Sequence, residues 1–553
     1  MTSGAAPAPA SWKHQALKFA AIGAINTLLS LAIIFTLRDL AGFSDVSANL
    51  CGYTAGLGCS FLLNRRWTFA HTAHWLPALL RFLAVFGLSY LLNIGLVLAL
   101  LRTGFEGHLA HLAGMPLYTA VFYLGCRFFV FADRSAAART PADLAQLEHR
   151  LRWAFGAVLL LRLLFPFFDS PLSHLYSDPA RHWENGQRLL DPTFMGSSDP
   201  LLYQVWLYLL DRIPGDVHAV IATGAGILCV MAPYGWYRAL KELLPRRWAL
   251  GGALVIALIP GSISIFAYFA NETLLLALTG FAFWATFRAQ RKRSRSSFAI
   301  ACALWLAAGF TRSVALPMAL LCLLAIWLPQ PQRLQKAAIG AALLSVFLVP
   351  AGLHARINLH FFAPFGNPYL NRIYAAGGHK NIEIDLGPKG RYGFGSPSFY
   401  NPTFYPFSDW MTDRSGSTAI AVDLNGAREP WIRELARIEQ ERTFPRWRSY
   451  WEGFLYASFG QSWPDNDRGS VSGWLTVWTR WLGLPLILMV AIGVARGRFR
   501  GREWLLPLCG LGMFWYFIVQ QQGIMEGRYR KPIDPIFVAA AIVMTRRYLA
   551  ANS

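Results

Sequence analysis

Four short stretches of the chain carry residue types that can handle a proton and a phosphate. The first is Tyr176-Ser-Asp178-Pro-Ala-Arg181-His182-Trp-Glu184, and the second is Asn271-Glu272. The third is Gly309-Phe-Thr-Arg312-Ser-Val-Ala-Leu-Pro317, and the fourth is Glu526-Gly-Arg528-Tyr529-Arg530-Lys531-Pro532-Ile-Asp534-Pro535. A carboxylate such as Asp178, Glu184 or Glu272 can take the proton of an attacking hydroxyl within hydrogen-bonding reach. Cations such as Arg312, Arg528, Arg530 and Lys531 can stabilise an anionic leaving group, above all a phosphate. Each stretch also has a plainer reading. Asp178 beside Pro179 can cap a helix over 179–190, and Asn271-Glu272 can be an exposed loop. Arg312 can snorkel to the headgroups, and Glu526 to Lys531 can be a charged external loop.

A second set of polar groups lies in or at the ends of apolar segments near the N-terminus: Asn26, Asn64, Arg65, Arg66 and Arg127. Polar side chains in lipid are costly and often functional. Arginine adds a fork that matches a phosphate. Snorkelling is the alternative for these arginines, Arg66 above all, whereas Arg127 sits inside an aromatic run.

The elements that must position these residues are membrane helices. Of 553 residues, 55% are hydrophobic and 15% charged, against about 25% charged in soluble domains. A span needs about 20 mostly apolar residues. Four candidates come first, roughly 17–37, 48–68, 79–101 and 111–131. A polar stretch, 133–152, then marks a domain boundary. About ten more follow: 153–168, 216–237, 247–269, 273–287, 297–311, 313–328, 337–355, 474–495, 503–522 and 532–547. The expected organisation is a disordered cytoplasmic tail over 1–16, a four-helix module over 17–133, a linker over 134–152, and a second module over 153–553. The fold class is thus an all-α polytopic membrane protein. Two insertions, 169–215 and 356–473, interrupt the second module. The longer exceeds an ordinary connection; it is rich in Gly, Pro and aromatics before a polar helical pattern from Glu429 to Trp451, so an external helix-containing subdomain is expected.

Charge placement assigns sides. With the N-terminus in the cytoplasm, the clusters Arg134 to Arg152, Arg238 to Arg247, Arg288 to Arg295, Arg333 to Lys336, Arg496 to Arg502 and Arg546-Arg547 all fall inside, as the positive-inside rule requires. Both insertions and all four chemical stretches then fall outside. The basic run 528–531 lies on the cation-poor side, where cations suit a phosphate better than topology. The net charge of +21 is accounted for by these loops, without the basic face or aromatic-basic module that nucleic acid binding needs. The seven cysteines lie in or beside apolar runs without metal or paired spacing. His354, His360 and His379 have no metal spacing either.

The first four helices read as a duplicated pair. Leu17-Lys-Phe-Ala-Ala opens the first and Leu80-Arg-Phe-Leu-Ala the third. Arg66-Trp-Thr-Phe-Ala closes the second, and Gly125-Cys-Arg-Phe-Phe-Val-Phe-Ala the fourth. Two helices per unit make a parallel repeat.

Residues 17–133 resemble the GtrA-like family of four-helix membrane proteins. The residues that carry this are Phe19 to Asn26, Gly52-Tyr53, Phe61 to Phe69 and the echo Cys126-Arg-Phe-Phe-Val-Phe. The resemblance implies handling or flipping of polyprenyl-phosphate sugars. The four chemical stretches together resemble the GT-C glycosyltransferases, in the branch of protein O-mannosyltransferases and the lipid A aminoarabinose transferase. That family carries a D-x-x-R-[YH] context in its first external loop and an E-x-R-Y-x-x-P segment before its last helices. The resemblance implies transfer of a sugar from a polyprenyl-phosphate donor to a glycan, lipid or protein acceptor outside a bacterial plasma membrane. Asp178 would be the base, with Glu184 second and Glu272 a helper; Arg312, Arg528, Arg530 and Lys531 would hold the donor phosphate. Related enzymes sometimes use a divalent ion, which leaves a catalytic metal open. The competing reading is a non-enzymatic transporter of lipid-linked sugar.

Overall fold

The computed structural model describes residues 12–40, 45–71, 75–102, 106–131, 141–191, 200–329, 332–376, 381–386, 391–394, 417–441, 471–520 and 530–551, with residues 447, 450, 454 and 458. The chain divides into two compact units, 1–140 and 141–553. The protein is an all-α integral membrane protein.

In the first unit, α1 (Trp12–Phe35) pairs with α2 (Asp45–Leu63), and α3 (Trp75–Arg102) with α4 (Gly107–Gly125). α2 and α4 each end in one widened turn, Asn64–Thr68 and Cys126–Val130, closed by the same bond from the next residue's N–H (Phe69 to Asn64 O, Phe131 to Cys126 O). The pairs correspond residue by residue. Gly52 packs on Ser30 and Ile34, while Gly114 packs on Asn93 and Val97. Phe61 meets Phe82 at 5.3 Å, and Tyr123 meets Phe19 at 5.4 Å, a reciprocal exchange between halves. Phe69 and Phe131, equivalent in the two halves, stack on each other at 5.0 Å. Self-complementary contacts of this kind are what a two-fold relation produces.

The second unit opens with α5 (Pro141–Phe168), so 141–152 forms the first turns of a long helix. Proline suits a first helical position because its missing N–H would be unpaired there anyway. Then come α6 (Ser177–Gln187), α7 (Leu201–Asp211), α8 (Val217–Leu243), α9 (Arg246–Ala257), α10 (Gly261–Ser264), α11 (Asn271–Lys292), α12 (Arg295–Thr311), α13 (Leu316–Trp327) and α14 (Arg333–Leu359). Three more helices, Val471–Ala495, Leu505–Gln520 and Asp534–Ala551, complete the bundle. Asp216 and Ser294 cap α8 and α12 by accepting from the N–H groups of His218 and Ser297.

Two expectations change. The run 247–269 is not one continuous helix: α9 and the 261–267 turn meet at 72°. Pro260 removes a helical donor at the break, and residues 268 and 270 are extended. Among the described residues, five helical stretches are long and apolar enough to cross a bilayer, or six if this bent pair counts as one. Several other runs, such as Arg295–Thr311 and Ser313–Trp327, are shorter apolar helices. At a rise of about 1.5 Å per residue, they lie below the length of an unaided span. The long insertion, in turn, holds strands as well as helices. A three-stranded sheet, β1 (Asn381–Asp385), β2 (Arg391–Phe394) and β3 (Ser417–Ala421), has the order β2-β1-β3, with β1 antiparallel to β2 and parallel to β3. α15 (Pro368–Ala376) and α16 (Glu429–Gln440) close its core around Trp431, Ile373 and Ile384.

α8 and α11 touch backbone to backbone. A Cβ on Gly280 would lie 2.6 Å from Trp236 N, and one on Gly235 2.8 Å from Phe281 N. Close approach through small residues is how membrane helices gain packing when lipid offers no hydrophobic drive. Gly280→Leu is expected to destabilise the bundle by about 1–3 kcal/mol or more, read as an earlier midpoint in thermal unfolding in detergent. An unchanged midpoint would show that this contact contributes nothing.

Candidate functional site

The segment Ser264 to Thr273 links the four chemical stretches. Lys531 Nζ donates to Ser264 Oγ at 3.4 Å. Tyr268 lies against His174, ring centroids 4.5 Å apart, and His174 is itself held by Asp169 at 2.7 Å. Phe269 stacks on Trp183 of α6 at 4.8 Å. Asn271 and Glu272 both accept from Arg312. Ten residues bridge all of these contacts, so the stretches lie within about 35 Å even if that chain were fully extended. A short helical turn over Ile265–Ala267 brings them closer.

Asp178 sits in the first turn of α6, and Tyr176 occupies the capping position without a side-chain bond to the helix start. Asp178 therefore does not cap the helix. It is mostly buried and paired with Arg181 at 2.8 Å, three residues on. Pro179 and the helix start explain the geometry: a fixed φ at the third helical position and an i, i+3 spacing put the carboxylate and the guanidinium on one face. Glu184 is exposed and bonded to Arg188 at 3.2 Å. Bonds to Asp191 first, and then to Glu184, push the Arg188 guanidinium above its ordinary range. Glu184 is thus not gathered with Asp178.

Glu272 and Asn271 are buried, at 1% and 7% exposure, and do not form an exposed loop. Glu272 instead forms a buried ion pair with Arg312, whose backbone breaks the chain between α12 and α13. This arrangement corrects two readings together. Glu272 acts on Arg312, and Arg312 points into protein rather than to headgroups.

Arg530 and Lys531 are buried, at 4% and 2%. Arg530 donates to the Ser458 carbonyl oxygen at 2.7 Å and pairs with Asp534 at 3.1 Å. Its guanidinium lies over Gly483, where a Cβ would come within 2.6 Å. Glu526 and Arg528 lie outside the described residues. Burial raises the Tyr203 phenol well above its usual range, and its bonds to Thr273 and the Ala270 backbone offset only part of that. It stays a neutral hydrogen-bonding group. Among the described residues, no three His, Cys, Asp or Glu side chains converge as a metal site.

In the first unit, Asn64 is fully buried and bonds locally, donating to Ser60 O at 2.9 Å and accepting from Thr68. It builds the widened turn. Asn26 Oδ1 is buried against Gly56 and has no hydrogen-bond partner among the described residues. Arg127 donates to Gln15 and to the Tyr123 hydroxyl and lies over Phe128. Arg65 occupies the equivalent position in the other widened turn, and Arg66 beside it is exposed.

Sequence reasoning missed Arg162, at 2% exposure inside α5. The signal was present, since a charged residue in the run Leu159 to Phe165 is itself unusual. Asp534 was likewise passed over, although it follows the cations by three residues. No curated protein matches the chain. Over residues 18–131 its first unit matches a known family, the GtrA/DPMS transmembrane domain.

Proposed function

We propose that the chain is a membrane glycosyltransferase that moves a sugar from a polyprenyl-phosphate donor to an acceptor on the non-cytoplasmic face of a bacterial plasma membrane. The first unit flips or delivers the lipid-linked sugar, a reading supported by its GtrA/DPMS match. The observation that carries the enzymatic reading is the Ser264 to Glu272 segment, which ties an Arg-paired carboxylate helix to a corner of buried cations. Asp178 removes the acceptor proton as its oxygen attacks the anomeric carbon, and Arg181 orients the carboxylate. The bond to the phosphate oxygen breaks, and polyprenyl phosphate leaves as an anion. It needs charge stabilisation rather than a strong acid, which Arg530, Lys531, Arg312 and the neighbouring Arg528 supply. In the first unit, Arg65, Arg66 and Arg127 meet the carrier phosphate.

The test is transfer by the purified protein from a synthetic short-chain polyprenyl-phosphate sugar, with the product read by mass spectrometry. Donor binding without product would favour the rival, a non-enzymatic transporter. For the phosphate corner, Lys531→Met is expected to raise donor KM about tenfold or more and leave acceptor KM unchanged. An unchanged donor KM would remove Lys531 from donor binding.

A further inference from the structure

Arg162 lies in the last two turns of α5, and its side chain bonds to α8, to the end of α9 and to the broken segment that follows α9. Its Nε donates to Cys229 O at 2.8 Å, Nη1 to Ala257 O at 2.8 Å and to Ser262 Oγ at 3.4 Å, and Nη2 to Ser262 O at 2.7 Å. Each carbonyl has a reason to need it. Cys229 O would accept from residue 233 in a regular helix, but that residue is Pro233, which has no N–H. Ala257 is the last residue of α9, and Ser262 lies in a four-residue turn, so neither carbonyl has a regular helical partner. Backbone oxygens left bare in a membrane interior are strongly unfavourable. A planar fork of five N–H donors on three nitrogens can serve three separate carbonyls at once, whereas a lysine ammonium has only three, all on one atom.

We infer that Arg162 is the positioning residue of the donor-phosphate corner, fixing the 72° bend that aims Ser264 at Lys531 and Asn271-Glu272 at Arg312. The link to donor binding rests on the proposed transfer reaction; the link to the bend does not. R162K keeps the charge and loses the fork. Loss of charge-assisted bonds is expected to raise donor KM about tenfold or more, with acceptor KM and the yield of folded protein unchanged. P233A returns an N–H to Cys229 O, leaving two carbonyls to bridge, so R162K/P233A is expected to recover part of the donor KM. A role confined to overall stability would lower the maximal rate in proportion to folded protein and leave both KM values alone, which would overturn the proposal.

A second readout needs no activity. Full-length H174C/Y268C protein in native membranes is treated with a short bifunctional thiosulfonate, and the bridged peptide is quantified by mass spectrometry. Cross-linking is expected to fall severalfold on adding R162K and to return with R162K/P233A. Equal cross-linking with and without R162K would overturn the proposal even if R162K is too fragile to purify. If the unsubstituted protein transfers no sugar but R162K still loses the cross-link, the proposed function fails and the positioning role stands.

Discussion

Asp178→Asn is expected to lower sugar transfer by about 10²–10⁴-fold, the usual contribution of a positioned general base. The substitution keeps the size of the side chain and an oxygen that can still accept from Arg181, which lies 2.8 Å away. Its structural cost is small. An i, i+3 ion pair at a partly solvated helix end contributes about 1 kcal/mol or less, and the charge near the helix start adds about 0.3–1 kcal/mol. Neither can produce a loss of that size, so initial rates together with a thermal midpoint separate chemistry from folding. Glu184→Gln is the control, because Glu184 is exposed and engaged with Arg188. Wild-type transfer by Asp178→Asn would rule this carboxylate out as the base.

Glu272→Ala is expected to destabilise the second unit by about 3–5 kcal/mol, because it removes the carboxylate that neutralises Arg312 in a buried setting and leaves the neutral Asn271 amide facing the cation. The loss is visible as an early unfolding midpoint in detergent. The double substitution Glu272→Met with Arg312→Met tests the physics. An apolar pair of similar size replaces a buried ion pair at little cost or even with a gain, so the midpoint should return close to that of the unsubstituted protein. Transfer should not return, because the cation is gone. A single Glu272→Ala variant within about 1 kcal/mol of the parent would mean that the pair is well solvated. A double variant with full transfer would remove Arg312 from the donor site.

Much of the helical content was legible in the sequence because lipid makes it so. An apolar run in a bilayer must satisfy its own backbone groups, and a helix does this locally. Runs such as 216–237 and 337–355 therefore became Val217–Leu243 and Arg333–Leu359. The duplicated pair in the first unit was legible for a similar reason: Phe19 and Phe69 recur as Phe82 and Phe131, each pair meets within its own half, and Phe69 stacks on Phe131 across the halves. The strands of the long insertion were not. β1 to β3 are four or five residues each, and β1 pairs with β3 across a gap of more than thirty residues, so that pairing leaves no local pattern. The break in 247–269 was also hidden, because hydropathy reads Tyr268-Phe269-Ala270 as more of the same apolar run whether it is coiled or extended.

Composition and charge placement alone determined that the chain is a polytopic membrane protein, with its apolar runs helical and its candidate acids and cations in four separate stretches. Those properties depend on each segment's own transfer energy. Which acid meets which cation is a different kind of quantity, since it depends on distances between residues far apart in the chain. Only the tertiary structure decided that Glu272 neutralises Arg312 forty residues away. It alone joined Lys531 to Ser264. Arg162 shows the difference most directly: its charge is plain in the sequence, but the three carbonyls that hold it become neighbours only when α5, α8 and the end of α9 pack together.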